Sequence, residues 1–468
     1  MPRIDNSVSF NKLREIYPEF SYENYSYSLV KNVLSLQFEF HLSDDIIFRP
    51  HSILTFPASL DIRHNDALIN NLVFHIGLIE LVSYWKATCS PLITIKTGKL
   101  DNQQIEWWKN LFYNGLGEFM YLNSIEISSS KLMEIVSNGK SHVASSASYT
   151  DNYIVPIGGG KDSSVTLELL RKKNLIVNPL IMNPREATVE TVTTAGLSMD
   201  DVIIINRTID PLLLELNAKG FLNGHTPFSA MLAFYCLLAS AITGIRNIAL
   251  SNEASANEAT VPGTDINHQY SKSFEFERDF RKYSATYIDS GINYFSFLRP
   301  LNELQIMSIF ARLPQYHPVF KSCNVGSKTN TWCGGCAKCL FTHIMLAAYK
   351  GVSYANDIIG KPMLDDIHNQ EIFRELAGIS EIKPFECVGT INDVQQAINL
   401  IIANTEQAPR LIEMYRSTRE GTEFISRQNG LQNTPENPAK EYLQDISDKT
   451  ETHFLTKTQW EILQKALN

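Results

Sequence analysis

An excess of positive charge is the first thing this chain lacks. Its 468 residues carry 41 Lys and Arg against 50 Asp and Glu, a formal net charge of −9. Such a balance serves broad nucleic-acid binding poorly, so nucleic acid is not an expected partner, although a local basic pocket stays open. Cysteine is scarce too. There are seven, four of them crowded into residues 323–339, which is unlike a secreted disulfide scaffold. The N-terminal stretch MPRIDNSVSFNKLREIYPEF has no apolar signal core. The longest apolar run, 67–87, is interrupted by Asn70, Asn71, His75 and Glu80 and reads as a buried helix rather than a membrane span. The expectation is a cytoplasmic protein without a membrane partner. No internal repeat is present. What remains, 44% hydrophobic and 19% charged residues, is an ordinary globular composition in a chain long enough for two or three domains.

Leu34, Leu36, Phe38, Phe40 and Leu42 alternate with Ser35, Gln37, Glu39 and His41. That period of two predicts a half-buried strand in an antiparallel sheet. The small-polar run SNGKSHVASSASYT, 137–150, reads as a linker. Beyond it, short apolar runs at 153–157, 179–183, 201–206, 247–252 and 294–300 alternate with helical patterns. Alternation of this kind predicts an α/β fold with a doubly wound parallel sheet, whose ligands sit at the carboxyl ends of the strands. The expected division is 1–145, an N-terminal α+β domain with a substrate-recognition role; 146–350, the parallel α/β domain; and 351–468, a mostly helical region with a polar Asn/Pro-rich link near 429–438.

The stretch PIGGGKDSSVTLELL, 156–170, joins one of these strands to a helix. A Walker A loop fails twice here: Asp162 follows Gly160-Lys161, and Val155 stands five positions before Gly160. A Rossmann fingerprint fails at its third glycine, where Ser163 stands. The residues still suit an anion. Gly158, Gly159 and Gly160 let backbone N–H groups approach closely, and the following helix points its positive end at the same spot. Ser163 and Ser164 can cap the helix or donate to phosphate oxygens. Asp162 would repel bare phosphate and makes sense holding Mg²⁺ against it. A glycine-rich strand-to-helix turn with an Asp cap is the competing reading. The loop resembles the S-G-G-x-D-S loop of ATP pyrophosphatases, with Gly158 in place of the usual serine.

Cys323, Cys333, Cys336 and Cys339 form C-x₉-C-x₂-C-x₂-C. Four thiolates at this spacing suit a tetrahedral structural Zn²⁺, and an iron–sulfur cluster uses the same ligand number. The segment leading into them resembles the corresponding region of 7-cyano-7-deazaguanine synthases, which pair a pyrophosphatase loop with a four-cysteine zinc site.

Residues 251–281, SNEASANEATVPGTDINHQYSKSFEFERDFR, are densely charged. A solvated face with Glu277 and Arg281 paired at i, i+4 is the plain reading. Position argues for more, because the segment leaves the ligand-binding edge of the sheet. The motifs GGGKDS, SNE…ANE, NHQYSKSFEFERDF, WCGGCAKC and PFECVG together are similar to the ATP-dependent epimerases acting on UDP-N-acetylmuramoyl-L-alanyl-L-glutamate, over nearly the whole chain. The resemblance implies inversion of the terminal L-Glu of the UDP-linked dipeptide to D-Glu, in peptidoglycan precursor synthesis, with ATP converted to AMP and diphosphate through an adenylated carboxylate.

It also implies roles. Gly158–Gly160, Ser163 and Ser164 would cradle the diphosphate; Asp162 would support Mg²⁺; Lys161 and Lys272 would offset charge. Adenine would meet backbone groups after PLIMN, near Met182, with Asn252 and Glu253 at the next strand end. For the α-proton the candidates are His268, Glu275, Glu277 and Cys387, with Cys387 and His225 equally readable as packed or structural residues. Two other functions compete: a different adenylating enzyme (an amide- or nitrile-forming ligase, or a thiolase of RNA), and a non-enzymatic ATP sensor.

Overall fold

The computed structural model describes residues 3–261, 263–380, 382–423, 425 and 452–468; the Asn/Pro-rich stretch near 429–438 lies outside them. The strands are β1 Glu19–Val30, β2 Val33–Ser43, β3 Ile46–Phe48, β4 His51–Thr55, β5 Leu92–Ile95, β6 Glu134–Ser137, β7 Thr150–Pro156, β8 Val177–Met182, β9 Ile203–Arg207, β10 Ile245–Leu250 and β11 Asn293–Ser296. Among the described residues they form one mixed sheet in the order β11-β10-β7-β8-β9-β4-β2-β1-β5-β6, with β3 beside β2.

The five strands from β7 to β11 are mutually parallel. Their winding reverses between β7 and β10, so a crevice opens there at the carboxyl ends. These strands are covered on both faces. Ile154, Leu180, Ile248 and Tyr294 point into one core, with the helices Asp66–Trp85, Phe228–Thr243 and Phe274–Tyr287. Val155, Ile181, Ala249 and Phe295 point into the other, with Lys161–Arg171, Glu303–Phe310 and Ala337–Lys350. Burial on both sides is why these strands read as continuous apolar runs.

β2 alternates as its sequence requires and pairs antiparallel with β1 and β4. β4 in turn pairs antiparallel with β9, Leu54 opposite Ile205, which joins the N-terminal strands to the parallel ones. Below this seam the Glu80 carboxylate accepts two bonds from Arg207, at 2.6 and 2.7 Å, and one from the Tyr235 hydroxyl. Asp66–Trp85, which carries Glu80, is long and apolar enough to span a membrane, yet nearly all of it is buried against the rest of the protein. Past residue 350 the described elements are helices, among them Val352–Ile359, Ile391–Asn404 and Lys457–Leu467.

Candidate active site

The crevice collects what the sheet delivers to one edge: the glycine loop after β7, Met182 ending β8, Ser251–Glu253 after β10, and Phe297–Arg299 after β11. Gly159 takes φ +81°, and a Cβ there would meet Ala187 at 3.0 Å, so the loop needs glycine at this position. A Cβ at Gly158 would meet nothing within 4 Å, leaving room for a ligand against the backbone. No side chain caps the Lys161–Arg171 helix at Gly160. The Ser163 hydroxyl accepts from Gly158 N and donates to the Gly160 carbonyl, and Ser164 donates to the same carbonyl at 3.0 Å. An uncapped helix start behind a glycine turn is an anion-binding arrangement.

Lys161 does not reach into the open. Its side chain is 4% exposed and its ammonium lies 2.5 Å from both Asp162 and Glu303. Burial works against that charge, but the two carboxylates outweigh it and hold the proton on. Glu303 is pushed up to about 8 by burial, despite Lys161. Glu253 is raised by burial and by the Asp162 charge. Three carboxylates therefore gather at the mouth of the loop with Lys161 and Lys272 to balance them, a set suited to a hard cation.

On the other side of Lys272 stands a second cluster. The Lys272 ammonium donates to the Cys387 sulfur at 3.1 Å. His268 presents Nε2 to the same sulfur at 3.7 Å and Nδ1 to the Glu118 carboxylate in a short contact. His225 Nδ1 lies 3.3 Å from the same Glu118 oxygen, its ring centroid 4.7 Å from that of His268. Burial opposes a charged Cys387, yet Lys272 and His268 carry its thiol well below the ordinary range. Burial likewise opposes a charged His268, but Cys387 and Glu118 raise it to about 9. His225 falls to about 4, through burial and the neighbouring His268. The geometry is thus a thiolate, an imidazolium, a carboxylate behind it, and one neutral imidazole alongside. Glu118, His225 and His268 are also close enough to hold a metal, but the Lys272 ammonium beside them works against a second cation.

Four chain segments build this cluster: the short helix Gly117–Leu122, the loop before Phe228–Thr243, the turn Tyr270–Lys272 with its approach, and the loop before Ile391–Asn404. Phe385 packs on Tyr121, ring centroids 5.3 Å apart, seating the Cys387 loop on the helix that carries Glu118. Gly389 passes so close to Glu303 that a Cβ would meet it at 2.9 Å.

The four cysteines of 323–339 converge. Their sulfurs all lie within 4.8 Å of one another, with separations of 3.9, 3.7 and 3.5 Å between 323 and 336, 333 and 339, and 336 and 339. A tetrahedral metal with bonds of ~2.3 Å spaces its sulfurs at about 3.8 Å, so the residues fit such an ion. Gly326 N–H donates to the Cys323 sulfur at 3.1 Å. The Ala337–Lys350 helix begins within the cluster, and its Lys338 N–H donates to Glu386, the neighbour of Cys387.

Residues 11–297 match the model described as the MurL N-terminal domain, and 319–425 that of the MurL C-terminal domain. The chain belongs to the MurL family of epimerases. A UDP-N-acetyl-alpha-D-muramoyl-L-alanyl-L-glutamate epimerase of Xanthomonas oryzae pv. oryzae is 32% identical over 73% of this chain and 77% of its own length. One from Salinispora tropica is 32% identical over 74% and 77%, and one from a Micromonospora species 31% over 74% and 78%. No solved structure matches.

Among the residues singled out from sequence, this MurL chain brings Asp162, Lys161, Glu253 and Lys272 to one end of the site and His268 and Cys387 to the other. Met182 lies at a strand end on the same edge, and Asn252 donates to the Ser296 hydroxyl at 3.0 Å. Glu275 is on the exposed face of its helix. Glu277 is 1% exposed and bound by Arg299, at 2.9 Å, and by Ser296 N–H. Arg281, the partner suggested by spacing, instead donates to Asn293 at 2.8 Å. Glu118, Glu303 and Arg299 were not found from sequence. Glu118 sits 150 residues from His268 in GLGEFMYL, where it reads as a solvent-facing helix residue.

Proposed function

We propose that this chain inverts the terminal glutamate of UDP-N-acetylmuramoyl-L-alanyl-L-glutamate, L to D, and consumes ATP to AMP and diphosphate in doing so. The observation that carries the reading is Lys272. It donates to Cys387 at 3.1 Å and is held charged by Cys387, Glu253 and Asp162 against its burial, which supports reading a carboxylate-activating end and a proton-moving end as one site.

The chemistry explains why both are needed. The glutamate nitrogen is locked in a peptide bond and cannot form a pyridoxal Schiff base. A free α-carboxylate resists loss of the neighbouring proton, because a second negative charge would develop beside the first. Transfer of AMP to that carboxylate cancels its charge and makes the carbonyl electron-withdrawing. In this reading the loop Gly158–Gly160, with Ser163 and Ser164, binds the diphosphate. Asp162, with Glu253 and Glu303 close by, would hold Mg²⁺, and the ion would supply charge neutralisation for the diphosphate. Adenine lies beyond β8, near Met182. The α-proton leaves and returns at the cluster of His268, His225 and Cys387, where one imidazole is neutral and the other charged.

The four cysteines would hold Zn²⁺ in a structural role, at the start of the helix whose Lys338 N–H donates to Glu386. A nucleotide-linked substrate and reduced zinc-binding thiols suit a cytoplasmic step of peptidoglycan precursor synthesis.

The test is diphosphate release from Mg-ATP with UDP-muramoyl dipeptides, with chiral analysis of the glutamate. D-Glu formed only when ATP is present, one diphosphate per turnover, is the expected result. Diphosphate release that instead requires an added amine or RNA would replace the reading with a ligase or a thiolase.

A further inference from the structure

Cys387 has more around it than a carbon base requires. Its sulfur is set between two fixed cations, Lys272 Nζ at 3.1 Å and His268 Nε2 at 3.7 Å. The opposite nitrogen of that imidazole is turned onto Glu118. Nucleophile, base and orienting carboxylate in that order are the arrangement by which thiols add to carbonyls. Thiolate is the nucleophilic form, and this environment favours it. Cys387 as a residue is neither fully buried nor fully exposed. Lys272 touches the sulfur and also interacts electrostatically with Glu253 and Asp162 of the loop end, and Gly389, two residues after Cys387, passes against Glu303, so an acyl group activated at the loop forms near a waiting thiolate.

We propose that Cys387 takes the activated acyl group from the adenylate as a thioester, so that the α-carbon inverts while the substrate is covalently held. This rests on the adenylation reading given above. The Cys387 thiolate adds to the acyl-adenylate carbonyl; the C–S bond forms, the C–O bond to phosphate breaks, and AMP leaves with the electron pair. Sulfur donates weakly into a carbonyl, so the α-proton of the thioester is more acidic than that of the carboxylate, and the AMP phosphate charge is gone before a carbanion forms. The imidazoles of His268 and His225 are left to move the α-proton. Water then adds to the thioester, its proton passes to the neutral imidazole of His225, and the thiolate departs. The balance is substrate, ATP and water in, epimer, AMP and diphosphate out.

The experiment uses the full chain with Mg-ATP and the UDP-linked dipeptide, acid-quenched during turnover and weighed intact. Expected is an adduct of substrate mass less one water, released by hydroxylamine and absent from Cys387→Ala. In Cys387→Ala, substrate-dependent exchange of labelled diphosphate into ATP should persist within about twofold, while AMP release falls by about a hundredfold or more. A Cys387→Ala enzyme that releases AMP at the native rate yet fails to invert would overturn the thioester and make Cys387 a carbon base. Absence of diphosphate exchange in the native enzyme would overturn the adenylation reading itself, and the thioester with it.

Discussion

The Lys272 ammonium donates to the sulfur of Cys387 across 3.1 Å, and the same sulfur faces His268 Nε2 at 3.7 Å. Two cations on one thiol alter its titration. The folded pKa of Cys387 is depressed, so the stabilisation of its thiolate is present above the unfolded value and lost as pH falls through the folded one. The folded pKa of His268 is raised, from 6.5 to about 9, so its contribution is complete below about 6.5 and disappears as pH rises through about 9. Alkylation of Cys387 by iodoacetamide, followed by peptide mass analysis, should therefore be nearly pH-independent between about pH 6 and 8, where a free thiol of pKa ~8.5 would climb steeply. Lys272→Met should restore much of that climb. A native profile like that of a free thiol would refute the ion pair.

Asp162→Ala should abolish diphosphate release and lower the melting temperature only modestly, since the buried Lys161 loses one of its two carboxylates but keeps Glu303. Gly159→Ala is a different kind of lesion. At φ +81° with a Cβ 3.0 Å from Ala187, it should cost about 1–3 kcal/mol of stability and weaken ATP binding together. Calorimetric titration with ATP and thermal melts of both variants check this.

Glu277 and Glu275, two residues apart, should behave oppositely. Arg299→Met leaves the Glu277 carboxylate buried and unpaired, which costs about 3–5 kcal/mol, read as a lower urea midpoint. Glu275→Gln, on an exposed helix face, should stay within about 0.5 kcal/mol of native and invert substrate normally.

Metal analysis of purified protein should find one zinc per chain, and a colourless sample. Cys336→Ser should lose it. A brown protein containing iron would show that the four sulfurs hold a cluster instead.

Inversion run in D₂O with Mg-ATP should place deuterium at Cα of the D-Glu product. Omitting ATP should stop the exchange, because the unactivated carboxylate keeps the α-proton too weakly acidic. Inversion at an undiminished rate without ATP would defeat the activation mechanism.

Much of this architecture was legible because burial leaves a pattern. The runs at 153–157, 179–183 and 247–252 became β7, β8 and β10 within a few residues, their apolar side chains pointing alternately into two cores. The run begun at 201 starts as a strand only at Ile203, because Ser198 caps a tight turn over Met199–Asp201. The convergence of the four cysteines followed from their spacing. Long-range pairing leaves no such local trace. HSILT alternates like any edge strand, and nothing in it says that its partner is β9, some 150 residues later. Glu118 and Glu303 look like ordinary helix acids until the fold sets one beside His268 and the other beside Lys161.

The β4–β9 seam has a consequence for how the molecule could be divided. A cut within 137–150, where the chain runs through small polar residues, would yield two fragments that each bare a row of unpaired backbone donors and acceptors along the torn seam. Arg207 would be carried off with one fragment and Glu80 with the other. Neither piece is a natural stopping point for folding, yet each holds the other's missing strand. Expressed together, they have the makings of a split enzyme whose reassembly is reported by the return of its own activity.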